Sequence, residues 1–540
     1  MYYEKRVTVL YCVIILAVSF LAFRLYNLSK PETNKSMSVL EGQYSSEIDV
    51  CEKGGFVYDR NMELLSHKFV GKTALVNPSV CRNAKMYSES LAKYAVSSDT
   101  EDIFERINDG IPFTTALSCQ ADTTRLMSLD GVYVFDVYEE NNSIAKHLLG
   151  YNNSDGIGVS GLRKEYDELL NLALFSRVSA TFESNAKNVS MSPFHLECAE
   201  YEKTDGVVTT LDKNLQMLCD GMSDKIQSGA IVVADCTKGE ILAMSSFPDY
   251  EAERIADVLD SDKGELVNRA LQSFTPGSVF KIIMVAAALE RDSSLWDLKY
   301  TCSGSVEIDK DVFNCHKHDG HGEQTMEEAF ANSCNTYFIN LGMIIGLDTI
   351  AQTMKKLGLD GMSKADFLCE SKNYFLDENN NSLGYLANIS FGQGDLCLSP
   401  LDMISVLSSV STGCKKDLSV MLADVKNGRM MGRKQAKSER IFSQNAVDKM
   451  LIMMEKCITS GTGRNAYING VEIGGKTATA QTGRFNDAGV EYVHKWFCGV
   501  YPVDDPKFSI CILCDFSTEN VLSPALIFKE ICVYLDENGF

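Results

Sequence analysis

Phe274-Thr275-Pro276-Gly277-Ser278-Val279-Phe280-Lys281-Ile282-Ile283-Met284-Val285-Ala286-Ala287-Ala288-Leu289 is the stretch on which the reading of this chain turns. Thr275 reads as a helix N-cap and Pro276 as the first helical residue, where the missing N–H costs nothing. From Ile282 to Leu289 the segment is apolar all round, the mark of a buried helix. A lysine at the start of such a helix is an anomaly, because lysine is rarely buried unpaired and desolvation lowers its pKa. Ser278 lies three residues before Lys281, on the same helical face. A neutral amine there can take the hydroxyl's proton and make it a nucleophile. The helix start also offers backbone N–H groups to developing negative charge.

Two polar triplets farther along extend the pattern. Ser333-Cys334-Asn335 falls between a helical stretch, Met326 to Ala331, and an apolar run, Tyr337 to Ile345. Lys476-Thr477-Ala478 lies within Gly474-Gly475-Lys476-Thr477-Ala478-Thr479-Ala480-Gln481. The gaps between the triplets are about 55 and 140 residues. Gly470 to Thr477 also fits the phosphate-loop spacing, but that loop must follow a strand and open a helix. Here the residues after Thr477 read as two strands and a turn, which argues against nucleotide binding.

The bulk numbers bound the rest. At 540 residues the chain is too long for one compact domain. Lys and Arg total 51 and Asp and Glu 73, a net charge of −22, which argues against nucleic-acid binding and anionic-lipid docking. Val7 to Phe23 carries no charge and is flanked by Lys5-Arg6 and Arg24. It reads as an uncleaved anchor over 7–25, after a cytoplasmic tail of residues 1–6. A removed signal peptide is the competitor, but its cleavage-like Ala17-Val18-Ser19 falls inside the apolar run. Residues 26–46 read as a stalk, 47–190 as a first globular region and 203–540 as a second, with periodicity fading between. In the second region, strands at both ends and helices between them indicate an α+β sheet built from distant segments. The 18 cysteines are scattered rather than arranged as a small disulfide scaffold, which points to mostly free thiols. Cys302 and Cys315 flank a strand-like stretch, Val306 to Phe313, and could meet across a hairpin. Cys315-His316-Lys317-His318-Asp319-Gly320-His321 fits no standard zinc spacing and reads as a solvated loop, so neither metal nor cofactor is expected.

S-x-x-K, S-x-N and a K-T-G-like triplet in this order resemble the penicillin-binding proteins and serine β-lactamases. The chain as a whole resembles the class B penicillin-binding proteins, the monofunctional peptidoglycan D,D-transpeptidases. Gly55-Phe56-Val57-Tyr58-Asp59-Arg60-Asn61 is similar to that family's R-G-x-I-Y-D-R-N segment, with Gly54 in place of the arginine. Gly158 to Arg163 is similar to its G-x-x-G-L-E segment, with Arg163 in place of the glutamate. Phe391-Gly392-Gln393-Gly394, Ser399-Pro400 and Ser460-Gly461-Thr462-Gly463 match further family stretches. The resemblance implies a pedestal domain over 47–190 and, over 203–540, a transpeptidase domain with an antiparallel sheet and helices on both sides. It implies Ser278 as nucleophile, Lys281 as base, Ser333 as proton relay and Asn335 as orienter of substrate and lysine. Lys476 and Thr477 would hold the terminal carboxylate, and the N–H groups of Ser278 and Thr479 would form the oxyanion hole. Stem peptides and β-lactams are the implied ligands, and a SEDS-family glycan polymerase the implied partner. A β-lactamase or β-lactam sensor, or a catalytically weak scaffold, are the alternatives. Ala478 motivates the scaffold reading, since a methyl where the family has glycine either crowds substrate or is absorbed by a strand shift.

Overall fold

The computed structural model describes residues 18–21, 24, 45–51, 55–170, 178–183, 195–197, 205–361, 363–370, 376–426, 429–432, 437–517 and 523–540. The expected anchor and stalk fall almost wholly outside these residues, as does Gly54. Among the described residues no helix is long and apolar enough to cross a membrane.

The chain divides into two compact units. One comprises, among the described residues, 18–21, 24, 45–51, 69–139, 178–183 and 195–197. Its core gathers Ala74, Val76, Leu91, Ile103, Phe113, Leu126 and Val132. The other joins 55–68 and 140–172 to 203–540, so the expected pedestal interval 47–190 is shared between the two. The reason is strand pairing and capping by distant segments. Phe56–Tyr58 pairs in parallel with Gly206–Thr209. The buried Asp59 carboxylate accepts the backbone N–H groups of Asn61, Glu63 and Lys213. Arg163, the residue in place of the family's glutamate, is buried and donates to Glu140 at 3.1 Å and Asn142 at 3.0 Å.

The larger unit is built on a five-stranded sheet: β1 (Gly229–Asp235), β2 (Glu240–Phe247), β3 (Gly474–Phe485), β4 (Glu491–Tyr501) and β5 (Phe508–Ser517). The order is β2-β1-β5-β4-β3, and every pair is antiparallel. Along β1 and β5 both faces are apolar, and successive residues enter different cores. Ile231, Val233, Ile510 and Ile512 face one core, which holds residues of α1 (Lys213–Asp220) and α7 (Pro524–Glu537). Val232, Ala234, Cys511 and Leu513 face the other, with α2 (Lys281–Arg291), α4 (Asn335–Leu357), α5 (Pro400–Thr412) and α6 (Gln444–Thr459). The short α3 (Met326–Ala331) precedes α4. Helices therefore cover both faces of an antiparallel sheet whose strands come from 229–247 and 474–517.

Local chemistry fixes the helix starts. Thr325 and Glu328 form a reciprocal cap for α3, and Ser399 and Asp402 do so for α5, with Pro400 at its first position. The α2 start differs from the sequence expectation. A 3₁₀ turn, Gly277–Phe280, precedes the α-helix, and Thr275 makes no capping bond. Its carbonyl instead accepts the indole N–H of Trp496 at 3.0 Å. The stretch Val306 to Phe313 is a tight hairpin, Ser305–Ile308 against Asp311–Asn314, rather than one strand.

Candidate active site

Every residue from Lys281 to Leu289 is buried, as the unbroken apolar run requires. Lys281 itself is 0% exposed. Its Nζ donates to the Ser333 carbonyl at 2.8 Å and to Asn335 Oδ1 at 2.8 Å, and lies 3.4 Å from Ser333 Oγ. These bonds go to the S-x-N loop rather than to the Ser278 hydroxyl. All three acceptors lie in that loop. Burial, reinforced by the charge of Lys476, holds Lys281 well below the ordinary lysine value. The Phe338 ring lies 5.3 Å from Nζ.

Backbone conformation places the loop and Ser278. Ser333 sits at φ 55°, a left-handed conformation costing a side chain about 1–2 kcal/mol. It turns the chain between α3 and α4 so that its carbonyl and hydroxyl both reach Lys281. Gly277 also lies at φ +55°, and its N–H donates to the Gly392 carbonyl at 2.9 Å. A Cβ on Gly277 would lie 3.1 Å from the Ala480 methyl and 3.4 Å from the Thr479 carbonyl. A Cβ on Gly392, at φ +81°, would meet the Gly277 carbonyl at 1.9 Å. These two glycines let the Ser278 turn lie directly against β3.

On β3 the side chains alternate. Lys476, Ala478 and Ala480 are buried, whereas Thr477 is half-buried and Thr479 and Gln481 are exposed. Lys476 Nζ donates to the Thr477 carbonyl at 3.0 Å, and burial lowers its pKa. Thr477 Oγ1 donates to Thr462 Oγ1 at 2.8 Å. Ala478 is 6% exposed, belongs to the hydrophobic core and pairs with Trp496. Its methyl lies 3.5 Å from where a Gly277 Cβ would stand. The methyl thus fills the interface between β3 and the Gly277–Ser278 turn, on the strand face opposite Thr477 and Thr479.

Ser278, Ser333, Asn335, Thr477, Ala478 and Thr479 line one cleft of ≈ 620 Å³. Lys281 and Lys476 sit beneath its floor, fully buried. The structure thereby brings all eight expected residues together. It adds others that the sequence reading did not place in the site, among them Phe313, His316, Gln393 and Thr462. Gln393 and Thr462 lie inside family-like stretches already noted, which was the available signal. Phe313 and His316 arrive on the 305–316 hairpin and its exit, which no spacing announces.

The loop Cys315 to His321 is not simply solvated. Cys315 is 1% exposed, and its thiol approaches Cys334 of the S-x-N triplet at 3.9 Å and His321 Nδ1 at 3.6 Å. Cys302 and Cys315 do meet, but as free thiols. The donor atoms of Cys302, Cys315, His321 and Cys334 all lie within 4.8 Å of one another, a meeting that the spacing of the loop does not announce.

A serine on a helix start, a buried lysine bonded to a serine–asparagine loop and a lysine–threonine edge strand define a serine acyltransferase site of the penicillin-recognising kind. The family model for the penicillin binding protein transpeptidase domain matches residues 229–532, and the chain belongs to this family. Stage V sporulation protein D of Bacillus subtilis is 28% identical over 517 residues, spanning 89% of this chain and 77% of that protein. Peptidoglycan D,D-transpeptidase FtsI of Escherichia coli K12 is 25% identical over 414 residues, spanning 73% of this chain and 65% of that one. Among solved structures, the D,D-transpeptidase domain of a peptidoglycan glycosyltransferase from Eggerthella lenta has a TM-score of 0.64 at 21% identity, covering 90% of this chain and 99% of that one. This last likeness is one of fold.

Proposed function

We propose that the chain is a peptidoglycan D,D-transpeptidase that cross-links stem peptides through a serine acyl-enzyme and is inhibited by β-lactams. Ser278 Oγ attacks the carbonyl between the last two D-alanines, and its proton passes to the neutral Lys281 amine. Ser333 carries a proton from Lys281 towards the departing D-alanine nitrogen, and Asn335 holds the lysine and the substrate amide. The N–H groups of Ser278 and Thr479 stabilise the oxyanion. Lys476 polarises the strand from beneath, while Thr477, held by Thr462, meets the terminal carboxylate. A second stem peptide's amine then takes the acyl group and frees Ser278. The single observation that carries this reading is the fully buried Lys281, bonded at 2.8 Å to both Ser333 and Asn335 beside the nucleophile. The buried Ala478 methyl, packed towards Gly277, supports the enzyme reading over the scaffold.

The proposal includes an N-terminal anchor at 7–25, supported by the charge-free run, with the catalytic unit outside the cytoplasm as the family resemblance implies. A SEDS-family glycan polymerase as partner rests on the family resemblance alone. The test is labelling of the full chain by a fluorescent penicillin, with mapping of the adduct. A long-lived adduct on Ser278, absent from Ser278→Ala, is expected. Labelling that survives in Ser278→Ala would refute the nucleophile, and rapid release of hydrolysed drug would turn the reading to a β-lactamase.

A further inference from the structure

We infer that a second cavity, at the far end of β3, binds a carboxylate and selects an acidic side chain on the peptide residue just before the two D-alanines. The cavity encloses ≈ 480 Å³ and shares no lining residue with the cleft around Ser278. The two adjoin along the chain. Thr275 and Thr482 line the second cavity, close in sequence to Ser278 and Gln481 of the cleft.

The base of this cavity is built of buried charge. Arg269 and Asp515 are 7% and 6% exposed. Arg269 Nε stands 3.8 Å from Asp515 Oδ2, and His494 Nδ1 stands 2.9 Å from Asp515 Oδ1. The two Nη atoms of Arg269 donate to the carbonyls of Lys263 and Gly264, each at 2.8 Å. A buried guanidinium thus fixes the loop that carries Lys263, which is the support a preformed binding site needs.

The rim is what remains unpaired. Among the described residues the Lys263 ammonium, the Arg484 guanidinium and the Gln272 amide have no hydrogen-bond partner, and all three residues line the cavity. Arg269 and Asp515 offset each other, so Lys263 and Arg484 outweigh Asp262 and leave the cavity positive. Arg484 lies 5.5 Å from the centre of the Phe516 ring. A guanidinium held on a ring, with its N–H groups open, offers the planar fork that pairs with a carboxylate.

Strand register connects the cavity to the peptide. β3 is the edge strand of the five-stranded sheet, so its outer backbone groups can pair with an extended peptide. With the scissile carbonyl at the Thr479 N–H and the terminal carboxylate at Thr477, that peptide runs antiparallel to β3. The residue before the two D-alanines then stands opposite Ala480. Directly opposite residues place their side chains on one face of the sheet. That face is the cavity's, because His494, the register partner of Ala480, lines it. Thr482 follows Ala480 by about 7 Å along the strand. A carboxylate on a stem of a few methylenes spans that distance.

The carboxylate chemistry of the cavity stands by itself, while its place along the peptide rests on the transpeptidase reading. The experiment uses the full chain in detergent and thioester substrates that differ only in the residue before the reacting D-alanine: aminoadipate, its side-chain amide, or lysine. Acylation efficiency, kcat/KM, should favour the acid over the amide by about tenfold, the worth of one charge-assisted hydrogen bond, with lysine poorest. In Arg484→Gln the acid-to-amide ratio should fall to about twofold or less. Arg484→Lys should keep part of it, because the charge stays and the fork is lost. The ratio is taken within each variant, so a general loss of activity does not imitate it. Peptides ending in D-Ala-D-Ala with the same side chains should bind Ser278→Ala in the same order by calorimetry. Equal efficiency with acid and amide, a preference for lysine, or a ratio untouched by Arg484→Gln overturns the subsite. Free adipate that binds through Arg484, with all three peptides bound alike, would assign the cavity to a separate dicarboxylate and overturn its role in selecting substrate. Absence of a penicillin adduct on Ser278 would sink the transpeptidase reading instead. Adipate binding that is lost in Arg484→Gln would then uphold the carboxylate site, and no adipate binding would overturn it.

Discussion

Ala478→Gly separates two views of the one catalytic-triplet residue that departs from the family pattern. Were the methyl turned to the substrate, removing it would relieve overpacking of about 1–3 kcal/mol. That corresponds to acylation about ten- to a hundredfold faster. In the structure the methyl is 6% exposed and packs towards Gly277, while Thr477 and Thr479 present the opposite face of the strand. Its removal therefore withdraws packing from behind the nucleophile's turn. The lost methyl is worth about 0.8 kcal/mol, and glycine within a strand about 0.5–1 kcal/mol more. The sum, about 1.5 kcal/mol, should lower the melting temperature by roughly 2 °C for a unit of this size. Acylation by a fluorescent penicillin and turnover of a thioester substrate should both stay within about threefold of the native chain. Stopped-flow labelling and thermal unfolding of the same preparations provide the two readouts. An acceleration of tenfold or more in both reactions, with no loss of stability, would show that the methyl obstructs the cleft.

Lys281→Ala should slow acylation about 10²–10⁴-fold while the chain stays folded; a smaller loss would remove Lys281 as base. Because burial and then the Lys476 charge hold the Lys281 pKa down, native acylation should rise with pH and level off well below the range where free lysine titrates. Lys476→Met withdraws a positive neighbour, so it should raise the Lys281 pKa and move that rise to higher pH; a shift the other way would contradict the coupling. Between the lowered folded pKa and the unfolded value the unfolded chain binds more protons, so stability should climb with pH across that window. Lys281→Ala should flatten the climb in urea titrations taken at several pH values. Thr462→Val removes the 2.8 Å bond that holds Thr477 and should slow acylation roughly fivefold, from about 1 kcal/mol. Thr462→Ser should restore most of the rate, and equal rates for the valine and serine variants would make the bond irrelevant.

The sequence by itself determined the features that short-range chemistry controls. The unbroken apolar run after Lys281 required a buried helix, and the lysine at its head was then an anomaly in need of a role. The helical stretch from Met326 and the strands expected at both ends of the second region followed from local pattern as well. The ordered triplets were enough to collect Ser278, Lys281, Ser333, Asn335, Lys476 and Thr477. Tertiary structure decided what depends on direction and on distant meeting. Which way the Ala478 methyl points follows from the register of β3 against β4, and no property of K-T-A reveals it. Lys281 bonds Ser333 and Asn335 instead of Ser278 because α4 crosses α2 with Ser333 turned left-handed, a backbone state the word serine does not announce. Residues 55–68 and 140–172 joined the larger unit because strand pairing and carboxylate capping act between segments far apart in the chain. The same holds for Cys302, Cys315, His321 and Cys334: their spacing is silent, and only the closing of a hairpin onto the S-x-N loop sets four soft donors around one point.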